Sequence, residues 1–503
     1  LTLYAPRLSL TAFLGAVSAG QATDNFANQR RGERPVENLG LLINGELVPG
    51  EAKLDVINPA TGQLFVSVPA ASSAQAERAI AAAKAAFPGW RATPAGERQR
   101  CVRALADEVK AHASELARAL VQEQGKPLQE ATSEVLYTEL FLRYFANSRL
   151  DPERVRDDAG YEIEVLYKPL GVVIGIAPWN LPLLIGCNKI GPAVVTGNTA
   201  VLKPAPTTPV TTLMLAQYAQ KIFPPGVLNV ITDRNNLGGL LTSHPDVAKV
   251  SFTGSTATGR KVAASASNSL KRLTLELGGN DAGIVLPDAK VSDIAAKILG
   301  GAFMNCGQVC IALKRLYVHE SLYEEMCGRL AELAEQMIVG NGLEQGVQIG
   351  PLQNSMQMEK ARHYLEVGRR DGRIIAGGIC PPSHGNFVRP TIVRDIEDGS
   401  ELVDQEQFAP ILPVIKYSKI DEAIERANRS EYGLGGSVWS PDVNRAKTIA
   451  ARLDSGTIWI NHHLHFGPDI PFCGAKQSGL GVEFGQAGVA EFTQRSVVSM
   501  AKT

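Results

Sequence analysis

From Leu41 onward the apolar and polar positions fall into patterns that predict one element after another. In LLINGELVPG two apolar runs flank Asn44-Gly45, and Asn-Gly between such runs predicts a hairpin. Ala74 to Phe87 and Gly96 to Gln124 carry alanine-rich helical periodicity, with Ser73 placed to cap the first. Glu162 to Val173 reads as β structure interrupted at Pro169. Then GVVIGIAP, TAVLKP, VLNVIT, KVSFTG and AGIVLP follow as short β-branched runs, most ending in Gly or Pro. Helical stretches separate several of them, among them Thr208 to Ile222 and Gly259 to Ala266. Strands alternating with helices predict an α/β fold with a doubly wound parallel sheet. A second α/β region is expected from Val291 to Ile460, with helices at Tyr323 to Met337 and Asp421 to Asn428. Neither an internal repeat nor a low-complexity linker interrupts the pattern.

Length and composition narrow the class. A chain of 503 residues is too long for one ordinary core and predicts two or three domains. With 45% hydrophobic and 20% charged residues it reads as a soluble globular protein, and no apolar run reaches membrane-span length. The 50 Lys and Arg against 51 Asp and Glu leave no basic field for nucleic acid. Seven scattered cysteines without a CxxC pair suggest reduced thiols in a reducing compartment, not a disulfide framework. Residues 1–40 are read as a leader without fixed structure. Leu1 is not Met, so the natural start is expected upstream or processed. Leu8 to Val17 followed by Ser18-Ala19-Gly20 loosely resembles a signal peptide, and the acid-poor stretch to Arg34 a mitochondrial presequence. A cytoplasmic location is expected, with a mitochondrial one as the alternative.

Several segments carry candidate chemistry. LELGGN places Glu276, and FMNCGQVC places Cys306 and Cys310. Read singly, such a glutamate is a solvated or capping residue and such a cysteine a small buried hydrophobe. IAPWNLPL places Asn180, by itself an ordinary turn residue. VLKPAP ends a predicted strand on Lys203. SFTGSTATG is a strand, a Gly/Ser/Thr turn and a helix start, which offers N–H groups and a helix dipole to a pyrophosphate. Its G-x4-G followed by Arg260-Lys261 comes near a P-loop but lacks the Lys-Ser/Thr ending. His462, His463 and His465 cluster without a clear Cys or acidic partner at ligand spacing, so no metal site is expected.

Taken together and in this order, from Leu41 to about Val497, these segments resemble the aldehyde dehydrogenase superfamily, in particular a bacterial or fungal, hydrolytic, broad-range branch. The resemblance implies a Rossmann-type cofactor domain (41–149 and 170–277), an α/β catalytic domain (278–480) and a small bridging β element (150–169 and 486–503) that joins subunits into a homodimer or homotetramer. It implies oxidation of an aldehyde to a carboxylic acid with NAD or NADP, through a cysteine thiohemiacetal and thioester. In its register Cys310 is the nucleophile, with Cys306 outside that register. Glu276 is the general base, and Asn180 with the Cys310 N–H forms the oxyanion hole. Lys203, Ser255, Gly254, Trp179, Glu406 and Phe408 hold the cofactor. The same register makes Leu181, Val309, Ile311, Phe466 and Phe472 an apolar substrate pocket, with His463 and His465 near its mouth. Leu181, where a bulky aromatic is common, suggests room for a medium-sized apolar or aromatic aldehyde. Glu483 is implied to be a secondary carboxylate near the proton path, a surface salt bridge being the alternative.

Three departures from the family pattern stand out. Pro206 replaces a common glutamate after K-P-[SA], which removes one reason to reject NADP⁺ and leaves NAD⁺ slightly favoured. Ala409 stands for the usual glycine of F-G-P, and Cys473 for a glycine of P-F-G-G. A CoA-acylating relative is the rival within the family, disfavoured by Glu276, because water needs a base and CoA does not. A protein that kept the fold and lost the chemistry is the second rival, disfavoured by the intact Cys310, Glu276 and Asn180.

Overall fold

The computed structural model describes residues 39–381 and 383–502; the expectations about the leader at residues 1–38 lie outside them. The predicted hairpin is present, β1 (Leu41–Ile43) pairing antiparallel with β2 (Glu46–Val48) around Asn44 and Gly45, both at positive φ. The β-branched runs become β3 (Val172–Ile176), β4 (Thr199–Lys203), β5 (Leu228–Val230) and β6 (Val247–Thr253), followed by β7 (Arg272–Glu276). Every residue of β3, β4 and β5 is buried, as strands covered on both faces must be. The sheet runs β2-β1-β5-β4-β3-β6-β7 and ends on the short strand Gly479–Leu480. From β3 to β7 the neighbours are parallel, and chain order reverses between β3 and β6.

A second sheet is built from β8 (Asp281–Val285), β9 (Leu313–His319), β10 (Arg373–Ala376), β11 (Thr391–Arg394), β12 (Ile411–Tyr417), β13 (Gly435–Trp439) and β14 (Thr457–Ile460). Its order is β10-β11-β12-β9-β8-β13-β14, parallel except for β10 with β11. Each sheet has its own apolar core, one drawn from residues 41–277 with Val489 and Phe492, the other from residues 282–453. A separate three-stranded antiparallel sheet joins Glu153–Asp157 and Tyr161–Pro169 to Thr493–Ala501.

Three helix expectations need correction. The first helix runs Ser73–Ala92, through Pro88, and its cap is Ser72, whose hydroxyl accepts from the Gln75 N–H while Gln75 reaches back to complete a capping box. The stretch from Gly96 to Gln124 is two helices, Ala95–Ala111 and Ala113–Gln124, broken at His112, which has left helical geometry (φ −103°, ψ 19°). Two helices escaped the periodicity: α1 (Leu128–Asn147) and α2 (Pro182–Val195). All of α2 is buried, so it shows no polar stripe from which a period could be read. Helices α3 (Thr256–Ala266) and α4 (Val291–Phe303) follow β6 and β8.

Candidate active site

Parallel α/β sheets leave a crevice at the carboxyl ends of their strands, at the point where chain order reverses. The first sheet fills that edge with predicted site residues. Asn180 lies four residues beyond β3, Lys203 closes β4, Gly254 and Ser255 follow β6, and Glu276 closes β7. The second sheet contributes from its opposite edge, because Cys310 lies just before β9 and Glu406 just before β12.

The nucleophile turn is unusual. Asn305, Cys306 and Gly307 are consecutive left-handed residues (φ 53°, 58° and 73°), a conformation that costs non-glycine residues about 1–2 kcal/mol each. Asn305 secures it: its N–H donates to Glu130 Oε2 (2.9 Å), its Nδ2 to the carbonyls of Asn180 (3.0 Å) and Gln308 (3.3 Å), and its Oδ1 accepts from Gln124 Nε2 (3.0 Å). At Gly307 an added Cβ would come within 2.4 Å of the Ala409 carbonyl oxygen, so the F-A-P segment packs directly on the turn. Asn180 is buried, and its Nδ2 donates to the Gln308 carbonyl (3.0 Å), two residues before Cys310. A primary amide has a second N–H beyond that one. The Asn180 carbonyl accepts from the buried Lys126 ammonium (2.8 Å), which is ion-paired to Glu134 (2.5 Å). Glu134 in turn accepts from the first N–H groups of α2, those of Leu183 (3.1 Å) and Leu184 (3.3 Å). Periodicity and motif order gave no signal for Lys126, Glu134 or Glu130.

The Glu276 carboxyl and the Cys310 thiol are both buried and each acts on the other's ionisation, while Glu276 Oε1 has no partner within the protein. Burial, and then the negative charge of Glu483, push Glu276 up to about 8; the neighbouring Cys310 thiol and Lys189 pull the other way. Burial, and then Glu276, hold the Cys310 thiol well above its ordinary range. Glu483 is ion-paired to the fully buried Lys189 and is itself nearly buried, so the surface-salt-bridge alternative does not hold. Cys306 is packed in the second core, where burial raises its thiol too.

The predicted cofactor residues line the same region. Glu406 accepts from the Gly279 N–H (3.0 Å), and an added Cβ at Gly278 would lie 2.7 Å from Glu406 Oε2. Trp179 and Phe408 meet edge to face with centroids 5.5 Å apart. Ser255 caps α3 by accepting from the Thr258 N–H (3.3 Å), and the Gly254 N–H is bonded to the Glu276 carbonyl (3.1 Å). Lys203 is buried against Asp233 (2.7 Å), which also accepts from the N–H groups of Asn236 (2.9 Å) and Leu237 (2.8 Å). Asp233 was missed because nothing in VLNVITDRN marks it. A helix start aimed at the crevice, a carboxylate and a lysine at its edge, and facing aromatic rings suit a dinucleotide.

Val309, Ile311 and Phe472 form one apolar cluster to which Cys310, Met304, Phe466 and Phe484 attach, whereas half-buried Leu181 packs on the first core. Phe466 also meets Tyr137 (5.6 Å) and Phe141 (6.2 Å), and Phe484 meets Phe472 (5.5 Å), so the aromatic set is larger than the motifs indicated. His463 is not at a mouth: its side chain is fully buried, its Nε2 donates to the Ile311 carbonyl (2.9 Å) and its ring packs on Trp459. It lies in an irregular loop of mixed polarity, so sequence left the direction of that ring undetermined.

The sequence model described as the aldehyde dehydrogenase family matches residues 47–498. The chain belongs to the aldehyde dehydrogenase family. It is 41% identical over 481 residues to phenylacetaldehyde dehydrogenase of Pseudomonas fluorescens, spanning 91% of this chain and 95% of that protein. It is 38% identical over 470 residues to betaine aldehyde dehydrogenase of Rhizobium etli, spanning 91% and 96%. Among solved structures, betaine aldehyde dehydrogenase of Staphylococcus aureus in complex with NAD⁺ superposes with a TM-score of 0.89 at 32% identity, covering 92% of this chain and 94% of that one. An NADP-dependent enzyme of E. coli superposes at 0.90 with 34% identity, covering 93% and 99%. This aldehyde dehydrogenase is therefore an NAD(P)-dependent oxidoreductase that converts small aldehydes to acids. None of its described helices is long and apolar enough to cross a membrane.

Proposed function

We propose that this aldehyde dehydrogenase oxidises a medium-sized apolar or aromatic aldehyde through a thiohemiacetal and a thioester on Cys310. The observation that carries the reading is the buried Asn180 amide tied to the Cys310 turn, with the buried, unpartnered Glu276 carboxyl acting on the same thiol. Glu276, held near 8, takes the thiol proton in its ionised form, which grows as pH rises toward 8, and this frees the sulfur to attack the carbonyl carbon. The second N–H of Asn180 and the Cys310 N–H hold the oxyanion. Bound NAD(P)⁺ supplies the hydride acceptor. Lys203, Ser255, Gly254, Glu406, Phe408 and Trp179 would hold it, with NAD⁺ slightly favoured. Once Glu276 has released the thiol proton toward solvent past the neighbouring Lys189–Glu483 pair, its carboxylate takes a proton from the water that attacks the thioester, and the acid leaves as the C–S bond breaks.

Support for the substrate class comes from the cluster of Val309, Ile311, Phe466 and Phe472 around Cys310, with Leu181 at the edge of the first core. The phenylacetaldehyde enzyme among its relatives acts, by its name, on such a compound. The three-stranded sheet leaves Val155, Tyr161, Val497, Val498 and Met500 about half exposed or more, which supports a homodimer or homotetramer joined through it.

The test is NADH and NADPH formation, followed by absorbance, with aliphatic and aromatic aldehydes and no CoA. Reduction that favours aromatic or medium apolar aldehydes and disappears in Cys310→Ala is expected. Reduction only when CoA is added would transfer the reading to acyl transfer.

A further inference from the structure

Lys314, the second residue of β9, has no part in the mechanism above, yet it is buried beneath the nucleophile. Its ammonium donates to the carbonyls of Cys310 (2.7 Å), Val309 (2.8 Å) and Ala312 (3.3 Å). The nearest carboxylate is Glu406, whose Oε1 is 3.9 Å away, and the Phe408 ring centroid lies at 5.7 Å. The site's other buried cations are committed: Lys189 is paired to Glu483, and Lys126 to Glu134. A buried ammonium whose direct bonds all go to neutral carbonyls is costly. The cost makes sense where a negative charge forms nearby during the reaction, and the Cys310 sulfur is four residues away on the turn that Lys314 holds.

We propose that Lys314 is the positioning residue of the nucleophile: its ammonium fixes the Val309–Ala312 turn and supplies the buried positive charge against which the Cys310 thiolate forms. The step is a proton transfer in which the S–H bond of Cys310 breaks and an O–H bond forms on Glu276, so one negative charge moves from carboxylate to sulfur. Among the charges that act most strongly on the thiol, Glu276 on β7 and Glu406 before β12 disfavour the thiolate, and Lys314 favours it. The same ammonium also acts on Asp281, on Glu406 and on His463. Lys314 therefore offsets the local carboxylates at the point where the sulfur must become anionic. The inference rests on Cys310 being the nucleophile.

The experiment is the pH dependence of Cys310 alkylation by iodoacetamide in the full-length, cofactor-free protein, resolved by peptide mass spectrometry. An opposite charge within a few ångström typically moves a thiol by about 1–3 pH units. Lys314→Gln is therefore expected to raise the midpoint by about one unit and to slow alkylation below it about tenfold. Lys314→Arg, which keeps the charge, is expected to restore the midpoint. A folded Lys314→Gln protein with the wild-type midpoint overturns the proposal, as does equal slowing in Lys314→Gln and Lys314→Arg. Lys314→Met replaces the Gln variant if that one does not fold. Failure of both neutral variants to fold also overturns it, because Lys314 would then serve the fold alone. If wild-type Cys310 reacts no faster than Cys101, Cys380 or Cys473, the nucleophile reading itself falls, whatever the Lys314 variants show.

Discussion

The two sheets bring opposite edges to the reacting centre, and they do so with different kinds of backbone. The first offers carboxyl-terminal strand ends, where Lys203 and Glu276 are the last residues of regular parallel strands. Their positions follow from the strands themselves, and little local strain is needed to aim them. The second offers amino-terminal edges, and Cys310 arrives there on a turn with three successive left-handed residues held by side chains of Asn305, Glu130 and Gln124. One region is placed by periodic structure and the other by a polar network. Strain of this kind persists only where its surroundings over-determine it, so the turn is expected to be the more fragile of the two.

The largest effect should come from the turn's own nucleophile. Cys310→Ala is expected to lower kcat by at least about 10⁴-fold in the NADH assay, with NAD⁺ binding by fluorescence quenching unchanged. Glu276→Gln, at the end of a regular strand, should cost about 10²–10⁴-fold. In the wild type, turnover should rise with pH as Glu276 ionises around 8. A flat profile across pH 7–9 would count against Glu276 as the base. The sign for stability is opposite. A carboxyl raised from 4.5 to about 8 contributes stability that is fully present below 4.5 and lost as pH rises through about 8. Glu276→Gln should then raise Tm at pH 9 by about 2–4 °C, with a smaller difference at pH 5.

Asn180→Ala should lower kcat by about 10²–10³-fold if its amide holds the oxyanion. An effect confined to KM would instead make it a residue of the turn's scaffold. Gly307→Ala tests the strain directly. The added methyl meets the Ala409 carbonyl at 2.4 Å in a backbone that disfavours it, for a loss of about 1–3 kcal/mol by urea unfolding. The smallest effect is expected at the other edge. Lys203→Ala should weaken NAD⁺ binding by roughly 1–2 kcal/mol and leave kcat near wild type. If Lys203→Ala proves as damaging as Gly307→Ala to the fold, its pairing with Asp233 is structural and the contrast between the edges narrows.

The legible parts of the site were those that a motif holds in fixed register. Cys310, Glu276, Asn180, Glu406 and Ser255 lie at or just beyond the ends of strands of the two sheets. What escaped notice was what those residues lean on. Lys126, Glu134 and Glu130 lie on helical or adjoining sequence with no chemical signature, and they acquire a role only because α1 packs beside α2. Asp233 lies three residues beyond the three-residue strand β5 and matters only because β4 lies alongside β5. His463 was placed at a pocket mouth, whereas its ring is folded under the nucleophile turn against Trp459.

The sequence by itself determined the family, the alternation of strands and helices, the hairpin at Asn44-Gly45 and the order of reacting groups along the chain. These rest on local preferences and on residue types at fixed spacing, which the one-dimensional pattern carries. Tertiary structure decided which edges of the two sheets face each other, that Glu483 pairs with buried Lys189, and that Lys314 stands under Cys310. Burial and charge pairing depend on contacts between segments far apart in the chain, and the state of the Glu276 carboxyl is set by those contacts and not by its neighbours in sequence.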